Sequence, residues 1–578
     1  MLKTNKQYKL IFIMILLFSS FFLYSCQDVN GNDNVGQGEK GVVAKIDWTE
    51  YDTLISNIAK ETDPTLRMQM MHRAEDIIME TGAQIPILNV INKTLIKPEL
   101  SGVYITSTGL VNINQAYMPN KDILSMKIIT EPSGLAFNLL STEDTTFLCN
   151  ATSALLTKID KNVKTTPSAA KDIEISSDKL TYTFTLRDNL KWSNGEQIKA
   201  SDYEYSFRFS AAEENAAEAR DFFKYIDGYP NNLNIKSIDN ENKLIIKLQY
   251  PCAYFLDIAA YPTCMPLYKN DIENAKGYKD ENGKVIDPKA WGQTIERVYS
   301  GPYIISEWKH RESITLKKNP YYYDKDTVKT NQIDLMLTQD DAVIYDAYKN
   351  DDICFIKKVS SSILRDIKDS DELHSFPLLS INYMIFNVNS KIFEGLTMEE
   401  ASTFRKALFY AIDREFIVNV ALQGGAIPAN TLVPSACLDG NGELFKKNSE
   451  YYTYPDNTNG ELGYFPIKRD IEKTRQILKS LGYKFDKNNK LDTPITIEYL
   501  FNPSQINSLV AECIQQDLLE LGIRIKPTSM EIAQFLSQRA TGQFNLSRGG
   551  WNLDYDDPSS FLDINASKSP NNFAQYGK

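Results

Sequence analysis

One short stretch near the end of the chain gathers side chains that could bind a charged molecule. It reads SRGGWNLDYDDPSS, residues 547–560, and places Arg548, Trp551 and Asp554 close together. The planar guanidinium of arginine matches the geometry of a carboxylate. An acid and a base beside an aromatic ring therefore suit a zwitterionic ligand.

Each of these three residues also has a simpler interpretation. Asp554 could cap a turn, as aspartate often does. Arg548 could pair with a neighbouring acid, Asp556 or Asp557. Trp551 could belong to the hydrophobic core, or to the core and the wall of a binding cleft together.

Motifs of catalysis are weak elsewhere in the chain. A formal G-x-G-x-x-G occurs as GQGEKG, residues 36–41, but no βαβ unit surrounds it, so it does not indicate a dinucleotide site. There is no HExxH, no GxSxG and no Walker loop, and the three histidines lie far apart in sequence. These absences argue against a hydrolase or an NTPase, although they do not exclude catalysis.

The cysteines follow no recognisable metal-binding or redox pattern. Beyond Cys26 they occur at 149, 252, 264, 354, 437 and 513, without a CxxC. Cys252 and Cys264 are close enough in sequence to form a disulfide, and the alternative is that both are buried thiols.

Length and composition indicate a large soluble protein. At 578 residues the chain exceeds one ordinary core, so two or more lobes are expected. The net charge is −12, and no basic stretch is present to neutralise phosphates, which argues against a nucleic-acid partner.

The first residues are typical of an export signal. Three lysines precede the apolar run LIFIMILLFSSFFLYS, residues 10–25, which is short for a membrane span. The run ends in LYSC, which resembles a lipobox and makes Cys26 the expected lipidated residue; plain secretion with a free Cys26 is the alternative. The polar, Gly/Asn-rich segment that follows predicts a flexible tether.

Further along the chain, short periodic segments predict alternating strands and helices. Alternation of Tyr182, Phe184 and Leu186 predicts a half-buried strand. Ser201 and Glu204 stand at capping-box spacing, which predicts the start of a helix. Further helices are expected over 403–422 and 469–483, and a strand over 493–501. Mixed elements over this length favour α/β lobes.

Several of these stretches together resemble one protein family. They are EPSGLAFNLLST, YTFTLRDNLKWSNGEQIKASDYEYSF, FRKALFYAIDREFIV and GGWNLDYDDPSSFL. The combination is similar to the peptide-type extracellular solute-binding proteins of ABC importers, family 5. The resemblance implies an α/β, two-lobed periplasmic-binding-protein fold (class II, venus-flytrap) with an extra subdomain in the first lobe.

The order of the segments departs from that family. Its usual closing segment is missing after NNFAQYGK, residues 571–578, and residues 51–105 resemble it instead, ahead of the usual start near Met126. The chain therefore resembles a circular permutant, which is tolerated when native termini are close. A fusion of neighbouring paralogues or a domain swap between chains is the alternative.

These considerations divide the chain into five parts. They are a signal peptide (1–25), a tether (26–48), the permuted segment (49–120), the first lobe with its extra subdomain (121–379) and the second lobe (380–578). Within the permuted segment, residues 49–86 are expected on the second lobe and 87–120 on the first.

The resemblance also assigns a ligand site. In the family an aspartate, here Asp554, meets the α-ammonium of an extended peptide, and an arginine, here Arg548, lies near its carboxylate end. Backbone groups that pair with the peptide are expected from both lobes: Gly550, Trp551 and Asn552 on one, and Thr142, Glu143 and Asp144 on the other.

Side-chain pockets differ from those of the best-known members. Aromatic positions of the family appear here as Ile532 and Val90, which suggests roomier or altered pockets. A cysteine pair that braces the cleft in some members is replaced at both positions, by Ser380 and Asn552.

The resemblance implies a binding protein that closes on a short peptide and delivers it to an ABC permease, and that is not an enzyme and needs no cofactor or metal. The expected setting is the cell envelope, where a lipid on Cys26 would anchor a monomer to a membrane. Two alternatives remain open: a different cargo (a nickel chelate, haem, a sugar or an opine), or an adhesin-like remnant without transport.

Overall fold

The computed structural model describes residues 43–161, 164–439, 442–455, 460–553 and 557–578. They form a two-lobed α/β structure. None of the helices in these ranges combines the length and apolar character that a membrane crossing requires.

The second lobe is built on a mixed sheet covered by helices. Its strands are β1 (Gln84–Ile96), β14 (Phe355–Ile356), β15 (Leu373–Phe386), β16 (Ala426–Pro428), β17 (Ile495–Phe501), β18 (Ile523–Ser529) and β19 (Leu546–Asn552). The order is β14-β1-β15-β19-β17-β18, and β16 also pairs with β1. The helices are α1 (Thr49–Ile58), α2 (Pro64–Thr81), α9 (Met398–Ala411), α10 (Arg414–Phe416), α11 (Ile471–Ser480), α12 (Gln505–Leu519), α13 (Ile532–Ala540) and α14 (Ser559–Leu562).

The first lobe contains a four-stranded sheet and an extra subdomain. The sheet is β11 (Tyr303–Lys309), β12 (Ser313–Lys318), β13 (Gln332–Met336) and β4 (Ile123–Met126), and the short strands β2 (Tyr104–Ile105) and β3 (Val111–Asn112) lie beside it. The helices are α3 (Glu143–Thr152), α6 (Lys269–Glu273), α7 (Asp341–Lys349) and α8 (Ser361–Ile367).

The extra subdomain has its own core and its own sheet. Its strands are β7 (Ala170–Ile175), β8 (Thr181–Leu186), β10 (Lys243–Lys247) and β9 (Ile235–Ile238), with the pair β5 (Thr157–Ile159) and β6 (Thr165–Pro167); its helices are α4 (Ala200–Ala211) and α5 (Phe255–Ile258). Tyr182, Phe184 and Leu186 all point into this core, as their alternation predicts.

Two long antiparallel strands, β1 and β15, connect the lobes. One end of each contributes to the second-lobe core, and the other end reaches the small cluster around α7 and α8. Their register shifts in between: Asn89 pairs with Ile381 and Ile91 with Pro377, so three residues of β15 stand opposite one of β1. The ladder is therefore interrupted where the lobes meet.

The N-terminal segment folds as part of both lobes. Asp63 caps α2 by accepting a hydrogen bond from the Leu66 N–H, Pro64 occupies its first turn, and Gly82 ends it with φ 66°. Helices α1 and α2 and the start of β1 pack in the second-lobe core, whereas residues such as Leu100 and Met118 pack in the first.

Some local predictions are wrong in detail. Helix α4 begins at Ala200, and the backbone N–H of the preceding Lys199 donates to the Asp202 carboxylate. Glu204 accepts a hydrogen bond from the Ser237 N–H and does not form the predicted capping box with Ser201. The single helix predicted over 403–422 is interrupted, because Ile412 is extended.

The cysteine question is resolved for the described part of the chain. The thiols of Cys252 and Cys264 are free and buried, so the proposed disulfide between them is absent.

Candidate ligand-binding cleft

Strand β19 presents the predicted binding residues in alternation. Its register with β15 sets Arg548 opposite Met384, Gly550 opposite Asn382, and Asn552 opposite Ser380. Ser547 and Gly549 are buried, whereas Arg548, Gly550 and Asn552 lie on the more accessible face. Glycine is required at 549, because a Cβ there would lie 2.2 Å from the ring of Tyr383.

Arg548 is held by neutral groups in the described part of the chain. Its guanidinium donates to the amide oxygens of Asn382 (3.1 Å) and Asn502 (3.3 Å), and its buried Nε has no hydrogen-bond acceptor there. Burial lowers the pKa of Arg548. A half-buried cation among amides is well disposed to accept an anion.

A second arginine supports the first. Arg539 of α13 is 5% exposed, donates to the carbonyl oxygen of Arg548 (3.1 Å) and lies over the ring of Phe573 at 3.8 Å. Burial lowers the pKa of Arg539 to about 10. Positive charge is thus concentrated at this end of the strand.

The alternative partner proposed for Arg548 is engaged elsewhere. Asp557 forms a bidentate ion pair with Arg67 of α2, at 2.5 and 2.9 Å. Pairing of Arg548 with Asp557 is therefore wrong, and Asp556 lies outside the described residues.

Trp551 contributes to the second-lobe core, and its place in a cleft wall stays a prediction. Its ring is half-buried against the second-lobe core, and its indole N–H donates to the Ser560 hydroxyl at 3.4 Å. Asp554 lies outside the described residues. The chain on either side of it is fixed, because Leu553 donates to the Leu379 carbonyl (2.9 Å) and Asp557 is held by Arg67.

The facing residues of the first lobe form the start of α3. Thr142 is its N-cap, and the backbone N–H of Thr142 donates to Thr145 Oγ1, so this N–H is already used. The N–H groups of Glu143 and Asp144 belong to the first turn, which has no intrahelical acceptors. The Asp144 carboxylate accepts from Thr130 (2.5 Å), and the Glu143 carboxylate pairs with Lys357.

Leu378 and Leu379 connect the two halves of the site. Leu379 donates to the Ser107 carbonyl (2.8 Å) and accepts from Leu553. A Cβ on Gly109, two residues from Ser107, would lie 3.4 Å from Leu378 and 3.7 Å from the Glu143 carboxylate. The start of α3 and the end of β19 therefore converge on the same segment of β15.

The two predicted pocket residues lie on opposite flanks of β19. Val90 of β1 is half-buried and pairs with Ala426 of β16, whereas Ile532 at the start of α13 is 50% exposed. Four strand spacings separate β1 from β18, the strand before α13, which amounts to about 19 Å.

Sequence patterns did not reveal several residues that contact the predicted site residues. The alternation of polar and apolar residues in SINYMIF, residues 380–386, could have indicated that Asn382 lies on the same face as the predicted residues of β19. Arg539 and Lys357 gave no such signal, because only the tertiary fold brings them to Arg548 and Glu143.

Comparisons with known proteins bear on the same region. Residues 164–573 match the family described as bacterial extracellular solute-binding proteins, family 5 Middle. The chain is 27% identical to the oligopeptide-binding protein OppA of Bacillus subtilis (78% of this chain, 79% of that protein) and 29% identical to the dipeptide-binding protein DppE of the same organism (71% and 70%).

Solved structures show a similar fold. A periplasmic oligopeptide-binding protein (OppAIV) of Borrelia burgdorferi superposes with a TM-score of 0.56 at 26% identity, covering 79% of this chain and 85% of that one. The Escherichia coli murein tripeptide binding protein MppA gives a TM-score of 0.56 at 20% identity, covering 78% and 84%.

Proposed function

The chain belongs to the bacterial extracellular solute-binding proteins of family 5, and from this premise we propose that it captures short peptides between its two lobes. Members of this family are binding proteins of transport systems, so the chain is not an enzyme. The relatives named for oligopeptide and dipeptide binding favour a peptide over another cargo.

The observation that carries the proposal is the pair of neighbouring arginines, Arg548 of β19 and Arg539 of α13. Arg548 and Arg539 bring two guanidinium groups together, and in the described ranges Arg548 meets amide oxygens and Arg539 a carbonyl and aromatic rings. A peptide carboxylate would supply the missing negative charge, and a charge-assisted bond of this kind contributes about 1.5–3 kcal/mol. Asp554, six residues further along, is proposed to receive the α-ammonium.

Backbone pairing would make recognition largely independent of the peptide sequence. Residues 548–552 of β19 pair with β15 along one edge, whereas the pairing with β17 along the other edge involves Leu546 and Ser547, and Glu143 and Asp144 offer first-turn N–H groups from the first lobe. A ligand that binds to β19 and to the start of α3 at the same time stabilises the closed form. The lobes close by bending of the two strands that connect them, β1 and β15.

Native cargo tests the proposal directly. The protein purified from its own cells is denatured, and the released molecules are identified by mass spectrometry; short peptides are expected. Adding peptides at 100 times their dissociation constant should raise the free energy of unfolding by about 2.7 kcal/mol. Release of a sugar or a metal chelate, with no stabilisation by any peptide pool, would contradict it.

The remaining expectations concern delivery and chain order. We propose that a lipid on Cys26 anchors a monomer in the cell envelope, where an ABC permease receives the peptide. We also propose that segment 49–120 is the family's usual closing segment placed first. The packing of its helices α1 and α2 in the same core as residues 557–578 supports permutation within one chain.

A further inference from the structure

Lys357 is a buried cation next to the connection between the lobes. The residue is 6% exposed and directly follows β14. Its N–H donates to the Lys127 carbonyl and its carbonyl accepts from the Thr94 hydroxyl, both at 2.8 Å. The backbone is thus fixed on both sides, so the position of the ammonium group is well defined.

Lys357 is buried, whereas its ion-pair partner, Glu143, is exposed. Its ammonium pairs with the Glu143 carboxylate; the side chain of Lys357 is 7% exposed and that of Glu143 is 67% exposed. An ammonium carries three N–H donors, and Glu143 is the acceptor found for it within the described ranges. Leaving such a buried charge unpaired is costly, whereas a released Glu143 would return to water easily.

The ion pair lies at the cleft. Glu143 is within the start of α3 and close to Gly109 and Leu378, as described above. The next residue, Leu379, is hydrogen-bonded to Leu553 at the end of β19. A ligand lying between β19 and α3 would therefore pass beside the exposed side of this pair.

We propose that Lys357 is a specificity-determining residue. An acidic side chain of a bound peptide displaces Glu143 and pairs with Lys357 in its place. The inference rests on the proposed peptide binding and adds a preferred substrate class, acidic peptides. Exchange of one carboxylate for another keeps the buried ammonium paired. A neutral peptide leaves Glu143 in place, so neutral peptides still bind.

Calorimetric titration with paired peptides tests this assignment. Alanine-based tetrapeptides carry either Glu or Gln at one position in turn, and each pair is titrated into the purified protein. At one position we expect the Glu peptide to bind about tenfold more tightly. Lys357→Met should bring that ratio close to one while the Gln peptide keeps its affinity.

Two further variants separate recognition from folding. Lys358→Met, at an exposed neighbouring position, should retain the tenfold ratio. Glu143→Gln removes the internal competitor and should raise the ratio severalfold, which a purely structural ion pair would not do. If Lys357→Met fails to fold, the Glu143→Gln ratio decides the question.

Distinct results overturn distinct claims. Equal binding of Glu and Gln peptides to the unmodified protein, or an unchanged ratio in Glu143→Gln, would overturn the role of Lys357 and leave peptide binding intact. Failure of every tetrapeptide to bind would overturn the proposed function itself, and the inference with it.

Discussion

The indole ring of Trp48 stacks on the phenol ring of Tyr576, with centroids 4.0 Å apart and ring planes within 5°. Both residues are buried, and the Trp48 N–H donates to the Asn565 carbonyl at 2.9 Å. Tyr51 adds a second ring, 4.5 Å from Trp48, and donates to the Leu562 carbonyl at 2.6 Å. The start of the described chain thus completes the core formed by its end.

Truncation of this stack should destabilise the second lobe. Trp48→Ala is expected to lower the free energy of unfolding by about 3–5 kcal/mol, because a large buried ring is replaced by a cavity. Urea denaturation followed by circular dichroism measures the change. Ile286→Ala, at a side chain 59% exposed, is the control and should change stability by less than about 0.5 kcal/mol. A loss below about 1 kcal/mol in Trp48→Ala would contradict the packing described.

The ion pair between Arg67 and Asp557 should be strongly coupled. The two residues are 4% and 7% exposed, so Arg67→Met leaves a buried carboxylate without its partner and should cost about 3–5 kcal/mol. Adding Asp557→Asn should recover part of that loss in a double-mutant cycle. Arg73→Ala, whose side chain is 44% exposed, should cost less than about 1 kcal/mol. Additive losses at Arg67 and Asp557 would show that they do not interact.

Two buried groups on α2 should give stability opposite dependences on pH. Burial raises the pKa of Glu75 to about 7, although Leu432 and Val433 donate backbone hydrogen bonds to it. The ring of His72 stacks between Phe445 and Tyr452, and its burial there lowers its pKa to about 4. Stability from Glu75 is present below its unfolded pKa and is lost as pH rises towards 7. Stability from His72 is present above pH 6.5 and is lost as pH falls towards 4.

Removing one of these groups should reveal the effect of the other. In Glu75→Gln the free energy of unfolding should fall more steeply than in the unmodified protein as pH drops from 6.5 to 4.5. Between pH 6.5 and pH 4.5 the difference in the free energy of unfolding between the two proteins should change by about 2 kcal/mol. Urea unfolding at several pH values measures the slopes. Glu80→Gln, with a side chain 63% exposed, should leave the slope unchanged, and parallel curves for Glu75→Gln would refute the assignment.

Local patterns predicted the parts of the fold where local and tertiary preferences agree. The predicted helix over 469–483 is present as Ile471–Ser480, and the predicted strand over 493–501 as Ile495–Phe501. Periodicity alone sufficed there.

Long-range contacts limited the rest of the prediction. The apolar spacing of 403–422 continues through Ile412, but Asp413 caps a new turn and Arg414 donates to the Pro86 carbonyl of β1, so the helix breaks. Likewise Lys357 meets Glu143 only after the first lobe has folded. The contact of Arg414 with β1 and the contact of Lys357 with Glu143 are not encoded in the spacing of neighbouring residues.

Ser380 and Asn552 occupy positions suited to a covalent link. They are direct partners in the ladder between β15 and β19, and the Ser380 hydroxyl donates to the Asn552 side chain at 2.5 Å. Ser380→Cys combined with Asn552→Cys should form a disulfide under mild oxidation, seen as a loss of two titratable thiols in unfolded protein. The closed loop is long, so a gain of about 2–4 kcal/mol is expected. Each single variant serves as the control, and two thiols persisting after oxidation would rule out this geometry.

The role of Arg548 can be separated from peptide binding in general. Arg548→Met should weaken binding of a peptide with a free carboxylate by about 10- to 100-fold, since it removes a charge-assisted contact. The same peptide with an amidated C-terminus lacks that charge and should bind both proteins within about threefold. Isothermal titration of the two peptides against both proteins measures the coupling. Arg524→Met, on the exposed side of β18, should behave as the unmodified protein does. Equal weakening of the free and amidated peptides would mean that Arg548 supports the strand and does not bind the carboxylate.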